Sequence, residues 1–151
     1  MITRRKTLRD SAIVAGLLAA QGWLPGVAHA FNAKAFEAKS VADALKAFGA
    51  GAPVESKDVT ITAPDIAENG AVVPMGASTA LAGVKQLLIF VEKNPSALVA
   101  MFNMSDAIDA NLLTRAKMGQ TSDVYAVAVM ADGKALFAKK EVKVTLGGCG
   151  G

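Results

Sequence analysis

The sequence predicts a mainly β protein, an immunoglobulin-like antiparallel β-sandwich with one N-terminal helix and a flexible glycine-rich C-terminal tail. Three observations lead there. One stretch of helical periodicity, 34–48, precedes everything else. From residue 53 onward the apolar pattern turns to period two, in short runs separated by Pro, Asn-Gly and Asp-Gly punctuation. Seven or eight such runs, with frequent turn signals, are the pattern of a two-sheet sandwich.

The elements follow in order. Residues 1–10 carry Arg4, Arg5, Lys6 and Arg9, an apolar run extends from 12 to 20, and Ala28-His29-Ala30 supplies small residues at both positions a signal peptidase reads. That apolar run falls short of the ~20 residues needed to span a bilayer. The order Thr-Arg-Arg-Lys-Thr-Leu over 3–8 is similar to a twin-arginine export signal, with Thr7 where an aromatic is commoner. An ordinary secretory signal and an uncleaved amphipathic anchor are the alternatives. The expectation is export to the periplasm by the twin-arginine route, with no membrane attachment after cleavage.

In 34–48, Ala38, Val41, Ala42, Leu45 and Phe48 share one helical face, and Gly49-Ala50-Gly51 ends the helix. A strand is expected over 59–63, stopped by Pro64. Asn69-Gly70 reads as a hairpin turn between 65–68 and 71–74. The apolar run 84–92 reads as a central strand. Asn94-Pro95 turns the chain into 97–104, and 112–118 and 124–131 follow. Asp132-Gly133 makes a hairpin into 134–140, and a last run, 141–146, closes the fold. The expected organisation is a signal peptide over 1–30, helix and linker over 31–52, a sandwich domain over 53–146 and a tail over 147–151.

Removing residues 1–30 changes the chemistry available. It takes four of the 16 Lys+Arg and one of the 13 acidic residues, leaving 12 of each and no net charge. The electrostatic case for a nucleic-acid partner disappears with the leader. The single His (His29) and single Trp (Trp23) go too. Imidazole general-base catalysis, a Cys-His pair and His-ligated metal sites are then excluded within the chain. One cysteine remains, so no internal disulfide forms. In an oxidising compartment a lone cysteine pairs between chains or works as a thiol.

That cysteine is Cys149, set between Gly147-Gly148 and Gly150-Gly151. Glycine loses the most entropy when fixed, so such a tail is expected to stay mobile until bound. Five extended residues reach roughly 17 Å, and bare neighbours allow entry to a narrow cleft. Lys143 is the nearest cation in sequence, six residues back. Nothing in cis favours the thiolate, so a partner's pocket has to activate it. A frayed end and an inter-chain disulfide are the plainer readings of the same residues.

The ending Val-Lys-Val-Thr-Leu-Gly-Gly-Cys-Gly-Gly resembles the C-terminus of the SoxY family, the carrier subunits of the bacterial thiosulfate-oxidising Sox system. The stretches 68–74, 92–95, 114–118 and 132–134 resemble that family in the same order. The resemblance implies a non-catalytic sulfur-substrate carrier without a cofactor of its own. It implies Cys149 as the covalent attachment point and Gly147, Gly148, Gly150 and Gly151 as its arm. It also implies a SoxZ-like partner subunit, thiosulfate-derived sulfur species as cargo, and transient enzymes: a c-type haem SoxXA-like protein, a dimanganese SoxB-like hydrolase and a molybdenum–haem SoxCD-like dehydrogenase. The metals belong to those partners.

Other classes compete. Gly150-Gly151 superficially fits a ubiquitin-like carrier with a C-terminal thiocarboxylate, but that chemistry needs cytoplasmic ATP-dependent activation. A secreted sandwich interaction module with an incidental or dimerising cysteine is a further reading. Met101, Met104, Met118 and Met130 are read as core rather than a copper(I) site, because Met101 and Met104 point to opposite faces of a strand. Asp65 and Glu68 are read as a solvated turn, and Arg115 as half of a surface ion pair rather than an anion ligand.

Overall fold

A computed structural model describes residues 32–145 of the 151-residue chain. The leader with Arg4, Arg5, Ala28 and Ala30, and the arm with Gly147, Gly148, Cys149, Gly150 and Gly151, lie outside the described residues. Two short helices, α1 (Ala33–Glu37) and α2 (Val41–Ala47), precede nine strands. These are β1 (Pro53–Glu55), β2 (Val59–Thr62), β3 (Ile66–Ala67), β4 (Val73–Thr79), β5 (Val84–Val91), β6 (Leu98–Asn103), β7 (Asn111–Ala116), β8 (Ser122–Met130) and β9 (Ala135–Val144). They form one sheet in the order β1-β9-β8-β5-β6 and a second in the order β2-β4-β7, while β3 adds to the far end of β9. Among the described residues no helix is long and apolar enough to cross a membrane.

The sandwich core lies between the sheets. Val59, Val73, Met75 and Ala77 of the small sheet meet Leu87, Ile89, Val91, Val124, Ala126, Ala128 and Val142 of the large one. The large sheet buries its other face as well. Leu88, Phe90, Val127, Val129 and Ala135 pack with Ala35, Ala44 and Leu45 of the two helices. This double burial explains why 87–91 is an unbroken apolar run, with all five residues fully buried.

The expected single helix is two. At Ala38 the backbone turns extended (φ −65°, ψ 134°). The Ala38 carbonyl accepts from Ala97 N–H at 3.2 Å, and the Phe36 carbonyl accepts from the Ser96 hydroxyl. These carbonyls bond to the strand layer instead of continuing a helix. Ser40 then caps a new start, its hydroxyl accepting from Asp43 N–H at 3.2 Å and donating to the Asp43 carboxylate at 2.7 Å. That donated bond and Lys46 hold the Asp43 carboxyl below its ordinary range. The break resets the helical phase, so Ala44 is buried and Ala42, placed by sequence on the apolar face, is exposed.

The Asn69-Gly70 hairpin is also corrected. A turn is present, with Ala71 N–H donating to the Asn69 side chain at 2.9 Å. Its flanks, however, pair elsewhere: β3 lies parallel to β9, and β4 pairs with β2 and β7. The expected pieces 134–140 and 141–146 are one ten-residue strand, β9, in register with β8 from Ser122–Val142 to Val129–Ala135. Gly133, at φ 86°, closes that hairpin as Asp132-Gly133 foretold. Strand β1, given no strand of its own by the sequence, and β3, expected as one arm of the Asn69-Gly70 hairpin, both run parallel to β9 in an otherwise antiparallel sandwich.

Candidate functional site

The described residues end at Thr145, and their last three are held in place. Lys143 N–H donates to the Asp65 carbonyl at 3.0 Å and Thr145 N–H to the Ala67 carbonyl at 3.1 Å. Across the strand, Val144 N–H donates to the Thr121 hydroxyl at 3.0 Å. The Thr145 hydroxyl also reaches the Ala67 carbonyl, at 3.3 Å. On the adjoining turn, the Gly70 carbonyl accepts from Met118 N–H at 2.7 Å. The segment 65–72 thus forms a collar along one side of the chain at 143–145. Four peptide units beyond Thr145 lead to Cys149.

Gly70 is required by this packing. A Cβ there would stand 2.4 Å from the Met118 carbonyl oxygen and 2.8 Å from Val144 Cγ1. The oxygen belongs to backbone and cannot rotate away. Gly70→Ala is therefore expected to cost about 1–3 kcal/mol, the ordinary penalty of overpacking. A chemical denaturation midpoint equal to that of the parent would show the collar to be looser than described.

Charges near the root are surface pairs. Lys140 Nζ lies 3.0 Å from the Asp65 carboxylate and donates to the Ala63 carbonyl at 2.7 Å. Asp65 is therefore half of an ion pair rather than only a solvated turn residue. Further along β9, Lys139 bonds Asp123 at 3.1 Å and sits 5.9 Å from the Tyr125 ring centroid. The Asp123 carboxylate holds the Lys139 ammonium above its ordinary pKa, and burial pushes the Tyr125 phenol up.

The remaining sequence candidates separate. Met101 packs on the helix side of the large sheet and Met104 on the sandwich side, as their spacing indicated. Met118 is core, and Met130 ends β8. Arg115 is exposed and has no ion pair among the described residues, contrary to the expected surface pair. It lines an open groove of about 730 Å³ with Thr62, Pro64, Pro74 and Leu113. Its register partner is Pro74, so no strand neighbour offers it a carboxylate. No group of three or more His, Cys, Asp or Glu able to hold a metal occurs among the described residues. Sequence reasoning missed Thr121 and Gly70 at the arm root. Gly70 had a signal, but it was read as a hairpin.

The fold defines a class before it defines a family. A variant of the superoxide reductase (neelaredoxin) from Ignicoccus hospitalis matches with TM-score 0.51 at 15% identity, over 58% of this chain and 79% of that one. At that identity the likeness is one of β-sandwich fold. The structure of the sulfur carrier protein SoxY from Chlorobium limicola f thiosulfatophilum matches with TM-score 0.64 at 36% identity, over 71% of this chain and 97% of that one. The family model of the sulfur oxidation protein SoxY matches residues 44–149, a span that ends on Cys149. The chain belongs to the SoxY family. No curated protein sequence matches it.

Proposed function

We propose that this SoxY-family chain is a periplasmic carrier that binds thiosulfate-derived sulfur covalently on Cys149 and presents it to enzymes of the Sox system. Cys149 closes the matched family span and stands between two glycine pairs, and that observation carries the reading. The twin-arginine-like leader supplies the route out, and a SoxZ-like subunit is the expected companion.

The Cys149 thiol and thiosulfate lose two electrons to a c-type haem enzyme. The thiol proton leaves, and a sulfur–sulfur bond forms to give the cysteine S-thiosulfonate. Water then cleaves the bond between the outer sulfur and the sulfonate in a hydrolase. Sulfate and a proton depart, and a persulfide stays on Cys149. Further oxidation of the persulfide sulfur belongs to a dehydrogenase. The carrier itself supplies the thiol, the arm and the fixed arm root, and no catalytic group.

Intact-mass spectrometry of protein from thiosulfate-grown cells tests the assignment. Adducts matching the thiosulfonate or the persulfide are expected, with fragmentation placing them on Cys149. A population carrying only a free thiol throughout thiosulfate oxidation would remove the proposal.

A further inference from the structure

We infer that the collar at the arm root, with Ile66 and Val72 at its surface, is the face that docks against the enzymes receiving the cysteine-bound sulfur. This rests on the carrier reading above. Cys149 follows Thr145 by four residues, an extended reach of roughly 13–14 Å. A cleft deep enough to shield the sulfur from water uses most of that length. The rim of the cleft then comes to rest on whatever surrounds Thr145.

What surrounds it is the segment 65–72. Thr145 is bonded twice to Ala67, and Lys143 to Asp65. Five large apolar side chains are well exposed among the described residues, and two of them lie on this one segment: Ile66 at 55% and Val72 at 53%. Their sequence neighbours Ala67 and Val73 are buried in the sandwich core, so each exposed side chain is anchored through the next residue. The β3–β9 pairing and the close seat of Gly70 hold the backbone between them. Apolar side chains on a fixed backbone can be desolvated with little loss of conformational entropy, which suits them to repeated, short-lived contacts. The occupant is therefore the apolar rim of an enzyme pocket built for an anionic sulfur adduct on a carrier protein.

The test uses full-length carrier with its partner subunit, loaded with thiosulfate, and the purified hydrolase that releases sulfate from it. In the double variant Ile66→Ser/Val72→Ser, the KM for the carrier is expected to rise about tenfold, the loss of one interface anchor. The kcat, the rate of Cys149 alkylation by iodoacetamide and the melting temperature should stay at parent values. Ile108→Ser, 48% exposed on the β6–β7 connection, should change nothing. An unchanged KM in the double variant overturns the inference. So does a change confined to partner-subunit assembly or self-association, seen by sedimentation. Sulfate release from a Cys149→Ser carrier would instead sink the carrier reading itself, so the two failures are distinguishable.

Discussion

Cys149→Ser is expected to abolish thiosulfate oxidation, both in cells and with reconstituted enzymes, while leaving the denaturation midpoint of the protein unchanged. A serine oxygen forms no persulfide and no sulfur–sulfur bond to thiosulfate, so the loss should be complete rather than graded. Growth on thiosulfate and sulfate release per carrier both read it. Parent-level oxidation in the variant would place the sulfur elsewhere. The related substitution Cys149→Ala should behave identically, because the argument concerns bond formation and not hydrogen bonding.

Phe90→Ala is expected to be the most damaging single change to the domain, at about 3–5 kcal/mol, the range for emptying a buried aromatic site. Phe90 is fully buried on the helix-facing side of the large sheet. Its truncation removes the largest fully buried side chain of a layer closed by two helices of only five and seven residues. Helices that short have little intrinsic stability and depend on tertiary packing. Domains of this size hold about 5–15 kcal/mol in total, so the variant should lose roughly a fifth or more of it. Equilibrium denaturation checks this. A loss under about 1 kcal/mol would mean that the helical layer contributes little to closing that side of the sheet.

Part of the architecture is readable from the sequence alone. The run 84–92 declared a buried central strand because alternation vanishes when both faces are covered. Asp132-Gly133 declared a hairpin because its glycine supplies a positive φ. Met101 and Met104 were correctly sent to opposite faces by strand period alone. For the candidate site the sequence offers only Cys149 and its flanking glycines. Cys149 and its glycines stand out by composition, whereas the chain at 143–145 is held by the Asp65 and Ala67 carbonyls and the Thr121 hydroxyl, contacts that no sequence pattern marks.

The misreadings share a cause. The 34–48 helix breaks because the Phe36 and Ala38 carbonyls bond to Ser96 and Ala97, some sixty residues away in sequence. Asn69-Gly70 joins strands that pair with distant partners rather than with each other. Arg115 lacks its expected counter-ion because register places Pro74 opposite it.

By itself, then, the sequence determined strand content, the principal turns and the placing of a single histidine at 29 and a single cysteine at 149. These follow from local conformational preference and from side-chain chemistry, both of which are properties of short segments. Tertiary structure alone decided the helix break, the parallel β1 and β3 additions and the anchoring of the chain at Thr145, just past β9. Each of those depends on a hydrogen bond between residues far apart in the chain, and no local pattern encodes where such a partner will stand.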